Sequence, residues 1–122
     1  MNDVMLKVNG TIYMSEYVKL GQTAKTVISG LLKHMNNDTN LFYVGGDTLK
    51  KLVAHTGYSD ATIRNQVSKI VKTNLIEHTS LRGEYIVNPL FAVKGDEKLV
   101  WKSYERIEIE LHKDKILLWK KH

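Results

Sequence analysis

The residues best placed to do chemistry lie between Asp60 and Lys72. In that run Thr62, Asn65, Lys69 and Lys72 follow one another at spacings that suit one side of a helix, with Arg64 on its flank. An asparagine amide can pair with adenine, an arginine fork with guanine, and a threonine with a thymine methyl or a phosphate. Lysines supply charge to phosphates, which position a protein without reading sequence. On a wheel of roughly 100° per residue with Ile63 at zero, Val67, Ile70 and Val71 lie within roughly 80° of it. Ala61, Thr62, Asn65, Ser68, Lys69 and Lys72 fall opposite, and Arg64 and Gln66 flank the apolar stripe. The one acidic residue, Asp60, stands at the start, where the helix dipole favours it. Any amphipathic surface helix would share this periodicity, so the flanking segments matter. After it comes Ser80-Leu81-Arg82-Gly83, a turn whose Arg82 can enter a minor groove or grip a phosphate.

Other chemistry is poorly represented. The histidines are scattered, and His112 with Asp114 does not amount to a metal site. Gly45-Gly46 lacks the Lys-Ser/Thr of a phosphate loop. Asp47 and Asp60 are better read as helix starts than as paired catalytic carboxylates, and no serine has a nucleophile elbow around it. With no cysteine, disulfides, thiol nucleophiles and thiolate zinc sites are excluded. The expectation is a protein that is not an enzyme and takes no cofactor or metal.

The elements that must position Asp60–Lys72 read as follows. Thr23–Met35 is a helix, with Ala24, Val27, Ile28, Leu31, Leu32 and Met35 on one stripe. Leu41–Val44 is a short strand broken by Gly45-Gly46. Asp47 can cap the next helix, which carries Leu49, Leu52 and Val53 inward and stops near Gly57. Ser59 caps the helix already described, and Asn74 ends it. Leu75–Thr79 and Glu84–Val87 then suit a strand pair. This order is that of a winged helix, in which a tight turn sets the second helix of a pair across the first so that it can enter a major groove. At the N-terminus, Val4–Val8, Asn9-Gly10 and Thr11–Met14 read as a hairpin. Beyond Pro89, Lys98–Arg106 looks helical, whereas Ile107, Ile109 and Leu111 alternate like a strand.

The predicted fold is therefore α+β: a winged helix-turn-helix with an N-terminal hairpin and a C-terminal extension. A chain of 122 residues is a single domain's worth, with a core about 11–95 and an extension 96–122. No apolar run nears the roughly 18 residues of a membrane span, and no signal-peptide layout opens the chain, so a cytoplasmic location without membrane contact is expected. The net charge is +5. Residues 47–95 carry seven basic and four acidic groups, against four and three before them and seven and six after. A central positive excess suits a polyanion. The extension is rich in Trp101, Tyr104, Ile107 and Trp119, which suggests burial against something, and a homodimer is one way to achieve it.

The run Leu75-Ile76-Glu77-His78 through Arg82-Gly83-Glu84-Tyr85-Ile86-Val87-Asn88-Pro89, followed by Phe91 and Lys94-Gly95, resembles the winged-helix region of RepL-type plasmid replication initiators from Gram-positive bacteria. Ser59–Leu75 is similar to that family's recognition helix, as is the earlier helix ending Lys33-His34-Met35-Asn36-Asn37. The resemblance spans about residues 11–105. It implies recognition of a plasmid origin as double-stranded DNA and recruitment of host replication proteins. Thr62, Arg64, Asn65 and Lys69 match DNA-contacting positions, and Arg82 matches the wing. A small winged-helix transcriptional repressor would use the same contacts, and a protein-interaction module would not need Lys69 and Lys72.

Overall fold

Apolar side chains at helical spacing set the inward faces of three consecutive helices. The computed structural model describes residues 4–6 and 12–120, with side chains described within 4–6 and 13–112. The described residues form an α+β fold of five helices and two small antiparallel sheets. Helix α2 (Gln22–His34) buries Ala24, Val27, Ile28 and Leu31. Helix α3 (Gly46–Thr56) buries Leu49 and Leu52, and α4 (Asp60–Val71) buries Ile63, Val67 and Ile70. Met35, Phe42, Leu75, Ile76, Val87 and Phe91 complete one core with them.

Helix α3 stops at Gly57, whose φ of 77° lets its N–H reach the Val53 carbonyl at 2.8 Å. Glycine enters that left-handed conformation without a Cβ penalty. Only Gly57, Tyr58 and Ser59 then separate α3 from α4. Ser59 caps α4 as expected, its Oγ accepting from the Thr62 N–H at 3.2 Å. The expected cap at Asp47 is absent. Helix α3 begins two residues earlier, with Gly45 in the cap position and no side-chain hydrogen bond there. Asp47 lies in the first turn, where its charge still meets the helix dipole favourably.

The strand pair forms, with a third strand beside it. Strands β2 (Leu41–Tyr43), β3 (Ile76–His78) and β4 (Glu84–Val87) make one antiparallel sheet with β4 in the centre. Ile76 faces Val87, His78 faces Tyr85, and Leu41 faces Ile86.

Both ends depart from expectation. The N-terminal hairpin does not form: β1 (Val4–Leu6) pairs instead with β5 (Ala92–Lys94), and α1 (Ile12–Lys19) occupies the supposed second arm. The Asn9-Gly10 turn lies outside the described residues. Tyr13, Met14 and Tyr17 recur at helical spacing and pack half-buried on the core, with the Tyr17 ring 5.4 Å from that of Phe91. A short amphipathic segment can satisfy either period, and burial of these three side chains favours the helix. At the other end, α5 (Glu97–Lys120) is helical through Ile107, Ile109 and Leu111. Val100, Ser103 and Ile107 fall on one buried stripe, so the first half of the tail folds back on its own core. Its backbone leaves helical values at His112 (φ −115°, ψ 16°). No described helix is long and apolar enough to cross a membrane.

The junction between the two sheets is polar. Asn40 is fully buried with φ 60°, a conformation asparagine tolerates better than most residues. Its Nδ2 donates to the carbonyls of Val87 (3.0 Å) and Ala92 (2.8 Å), and its Oδ1 accepts from the Lys94 N–H at 3.0 Å. Lys94 Nζ donates to the carbonyls of Lys33 (2.6 Å) and Met35 (2.8 Å). These acceptors close α2, where helix carbonyls lack intrahelical partners and a cation is favoured. Burial lowers the Lys94 pKa. Asn88 Nδ2 donates to the Asn74 carbonyl at 3.2 Å, and its Oδ1 accepts from the Leu90 N–H at 2.9 Å. Asn88 and Lys94, two of the residues in the quoted signature, therefore serve as structural ties. Lys94 drops out of the cations that a ligand could meet.

Candidate nucleic-acid interface

Docking of Ile63, Val67 and Ile70 into the core leaves the other side of α4 outward. Arg64, Asn65, Ser68 and Lys69 are exposed, Thr62 and Gln66 half-buried. Lys72 is exposed just past the last helical residue. The Thr62 hydroxyl is engaged by the cap: Ser59 Oγ donates to Thr62 Oγ1 at 3.0 Å, which leaves the threonine proton to give. Lys50 and Lys51 are exposed on α3.

Beside α4 stands the β3–β4 turn, which is braced internally. Thr79 Oγ1 donates to Glu84 Oε1 at 2.8 Å and accepts from the Leu81 N–H at 3.1 Å, and the Glu84 N–H reaches the Leu81 carbonyl at 3.1 Å. This frame carries Arg82 to a cleft that Arg64 also lines. The cleft holds about 450 Å³ between Tyr43, Val44, Arg64, His78, Arg82, Gly83 and Tyr85. None of these residues is acidic. Neither guanidinium has a salt-bridge or hydrogen-bond partner among the described residues.

No family model, characterised protein or solved structure matches the chain. The cleft's chemistry therefore has to be read from its own walls. Tyr85 stacks on Phe42 (5.5 Å between centroids, 13° between planes) and packs on His78 at 4.4 Å. Burial raises the Tyr85 pKa, and the charge of Arg64, which lines the same cleft, opposes that rise. Tyr43 is 51% exposed, and its ring lies between Gly45 and Gly83. A Cβ on Gly45 would lie 2.5 Å from Tyr43 Cε1, and one on Gly83 2.6 Å from Cε2. The ring thus occupies space that the missing Cβ atoms of both glycines leave open, and a side chain at either position would displace it.

The structure brings Arg64 and Arg82 together and leaves Lys72 apart. Lys72 borders a separate depression with Tyr13, Glu16, Thr73 and Asn74, beyond the C-terminal end of α4. Sequence reasoning missed Tyr43. Its signal was the pairing of an aromatic strand end with Gly45 on one side and Gly83 across the sheet, visible once Tyr43 is set opposite Glu84.

Strongly perturbed titrating groups lie elsewhere, where α5 meets β3. Tyr104 Oη donates to Glu77 Oε2. Burial raises the Glu77 pKa, the Tyr104 hydrogen bond opposes that, and the nearby Glu108 adds to the rise. Burial and Glu77 push the Tyr104 hydroxyl far above its ordinary range. His112 Nε2 stands 3.3 Å from Glu108 Oε2. Between α2 and α3, the His34 and His55 rings meet edge to face at 6.0 Å. Burial, then Lys33, lowers the His34 pKa. Among the described residues no three His, Cys, Asp or Glu gather to hold a metal ion.

Proposed function

We propose that this chain is a winged-helix protein that binds double-stranded DNA sequence-specifically and acts as an origin-binding plasmid replication initiator. The order α2, β2, α3, α4, β3, β4 supports the fold, as do the three-residue connection before α4 and the sheet order β2-β4-β3. One observation carries the function: the outward side of α4 offers Asn65, Ser68 and Lys69 beside a cleft in which Arg64 and Arg82 have no partner among the described residues. Thr62 and Asn65 stand where base edges would be met, and Lys69, Lys72, Lys50 and Lys51 where phosphates pass. The origin role rests on the sequence resemblance alone, and host replication proteins would be the partners it requires.

Duplex binding should weaken steeply with salt, by about 0.9 log units per log unit of salt for each phosphate neutralised. Flat affinity from low to moderate salt, measured by fluorescence anisotropy, would end this reading. A footprint on the DNA that carries the gene separates the origin role from repression: iterated repeats support the first, a promoter palindrome the second. A homodimer remains part of the proposal through the far part of α5, where Ile109 is 57% and Leu111 40% exposed. Sedimentation equilibrium at tens of micromolar tests it, and a monomer there removes it.

A further inference from the structure

Composition alone puts Arg64 among the base readers, next to Thr62 and Asn65. The fold turns it another way. Arg64 flanks the apolar stripe of α4 and lines the cleft beside Tyr85, whereas Asn65, Ser68 and Lys69 do not line it. We propose that this cleft seats one backbone phosphate of duplex DNA, clamped between the guanidiniums of Arg64 and Arg82 with the Tyr43 hydroxyl donating to it. Arg64 is then a phosphate clamp and not a reader of guanine. This rests on the DNA-binding reading above and names the ligand of one part of that surface.

Donor inventory carries the assignment. A guanidinium has only donors, and a tyrosine hydroxyl has one to give. A phosphodiester has only acceptors, and it takes arginine in paired, charge-assisted hydrogen bonds. A G·C pair in the major groove sets the guanine N7 and O6 acceptors beside a cytosine amino donor, and the residues lining the cleft include no carboxylate to accept from that donor. The Tyr43 hydroxyl has no hydrogen-bond partner among the described residues. Rigidity carries it further. The Tyr43 ring fits between Gly45 and Gly83, where neither has a Cβ to displace it, and the Thr79–Glu84 brace holds the turn bearing Arg82. With the hairpin backbone braced, what a ligand has to order is the two arginine side chains. Arg64 and Arg82 come from a helix and a hairpin, so a phosphate between them would lock the two against the duplex in one register.

The test uses the full chain, a random-sequence duplex, and a duplex selected from a random pool by the parent protein. Arg64→Gln should weaken both duplexes by the same factor, about eightfold at 0.1 M salt, and make the salt slope shallower by about 0.9, the contribution of one phosphate. Tyr43→Phe keeps the ring between the two glycines and removes only the hydroxyl; it should weaken both duplexes alike, by less than Arg64→Gln. Thermal melts equal to the parent's exclude unfolding as the cause. If Arg64→Gln weakens the selected duplex and spares the random one, Arg64 reads a base and the inference is overturned while DNA binding stands. Tyr43→Phe binding as tightly as the parent overturns it too. If the parent binds neither duplex, the DNA-binding reading itself falls, and the clamp with it.

Discussion

Two pairs of identical residues separate two regions of this molecule. Asn40 and Lys94 lie at the junction of the sheets, buried, with their polar atoms engaged. Asn65 and Lys69 lie on α4, exposed. A buried polar group that lost its partner would keep its desolvation cost, so the first region ties the fold together. An exposed group without a partner costs the fold almost nothing and keeps its hydrogen bonds for a ligand. Residue type therefore says little here about role, and the presence of partners says much.

Asn40→Ala should break the comparison most visibly. It strands two carbonyls and one N–H in the interior, each worth about 1–3 kcal/mol, and puts alanine at φ 60°. A loss of about 3 kcal/mol or more is expected in urea unfolding, a large part of a small domain's stability. Asn65→Ala should change stability by less than about 0.5 kcal/mol. Equal losses would show that the two regions do not differ as described.

The lysines repeat the contrast on a smaller scale. Lys94→Met leaves the last carbonyls of α2 without their ammonium, at a cost of about 1–3 kcal/mol in stability, with duplex affinity of the folded fraction unchanged. Lys69→Met should do the reverse: an unchanged urea midpoint and weaker binding to every duplex. Within α4 itself the division is finer. Asn65→Ala should cost about 1–3 kcal/mol at one base position and relax preference there. Lys72→Ala should weaken all sequences alike. If both variants reduce selected and random binding by the same factor, Asn65 does not read a base.

How much of this was legible in the sequence follows the same division. Helices α2 and α4 were readable because Ala24–Leu31 and Ile63–Ile70 repeat with the helix period, and Ser59 and Gly57 mark ends through local chemistry. Hairpin β3–β4 was readable from two β-prone runs around a glycine turn. Asn40 was not, because its partners are 47 and 52 residues away and nothing local announces them. Lys94 entered only as one of the central basic groups, because its acceptors on Lys33 and Met35 are 61 and 59 residues away. The N-terminal segment misled because Val4–Met14 fits both an Asn-Gly hairpin and an amphipathic helix start, and packing on Phe91 was decided at long range. On the candidate interface, the wheel placed Asn65 and Lys69 correctly on the outer side. It could not show that Arg64 leans towards the hairpin, because the hairpin's position comes from tertiary structure.

Glu77 belongs to neither region and sharpens the comparison by the smallest effect. It is half-buried on β3, and the groups facing it come from α5: the Tyr104 hydroxyl, Glu108, and His112 beyond Glu108. Burial and Glu108 raise its pKa, so the folded chain holds a proton there more tightly than the unfolded chain does. That contribution to stability is fully present below the ordinary carboxylate range and is lost as pH rises through the raised value. Glu77→Gln keeps an oxygen to accept from Tyr104 and removes the charge beside Glu108. It should therefore raise stability at neutral pH, by only about 0.5 kcal/mol because solvent screens a half-exposed group, and flatten the pH dependence above the carboxylate range. Thermal melts from pH 4 to pH 8 measure both. If Glu77→Gln instead lowers stability at neutral pH and leaves the slope intact, the carboxylate is a satisfied partner of Tyr104. Glu77 would then belong with Asn40 and Lys94, as a third polar tie holding α5 to the sheet.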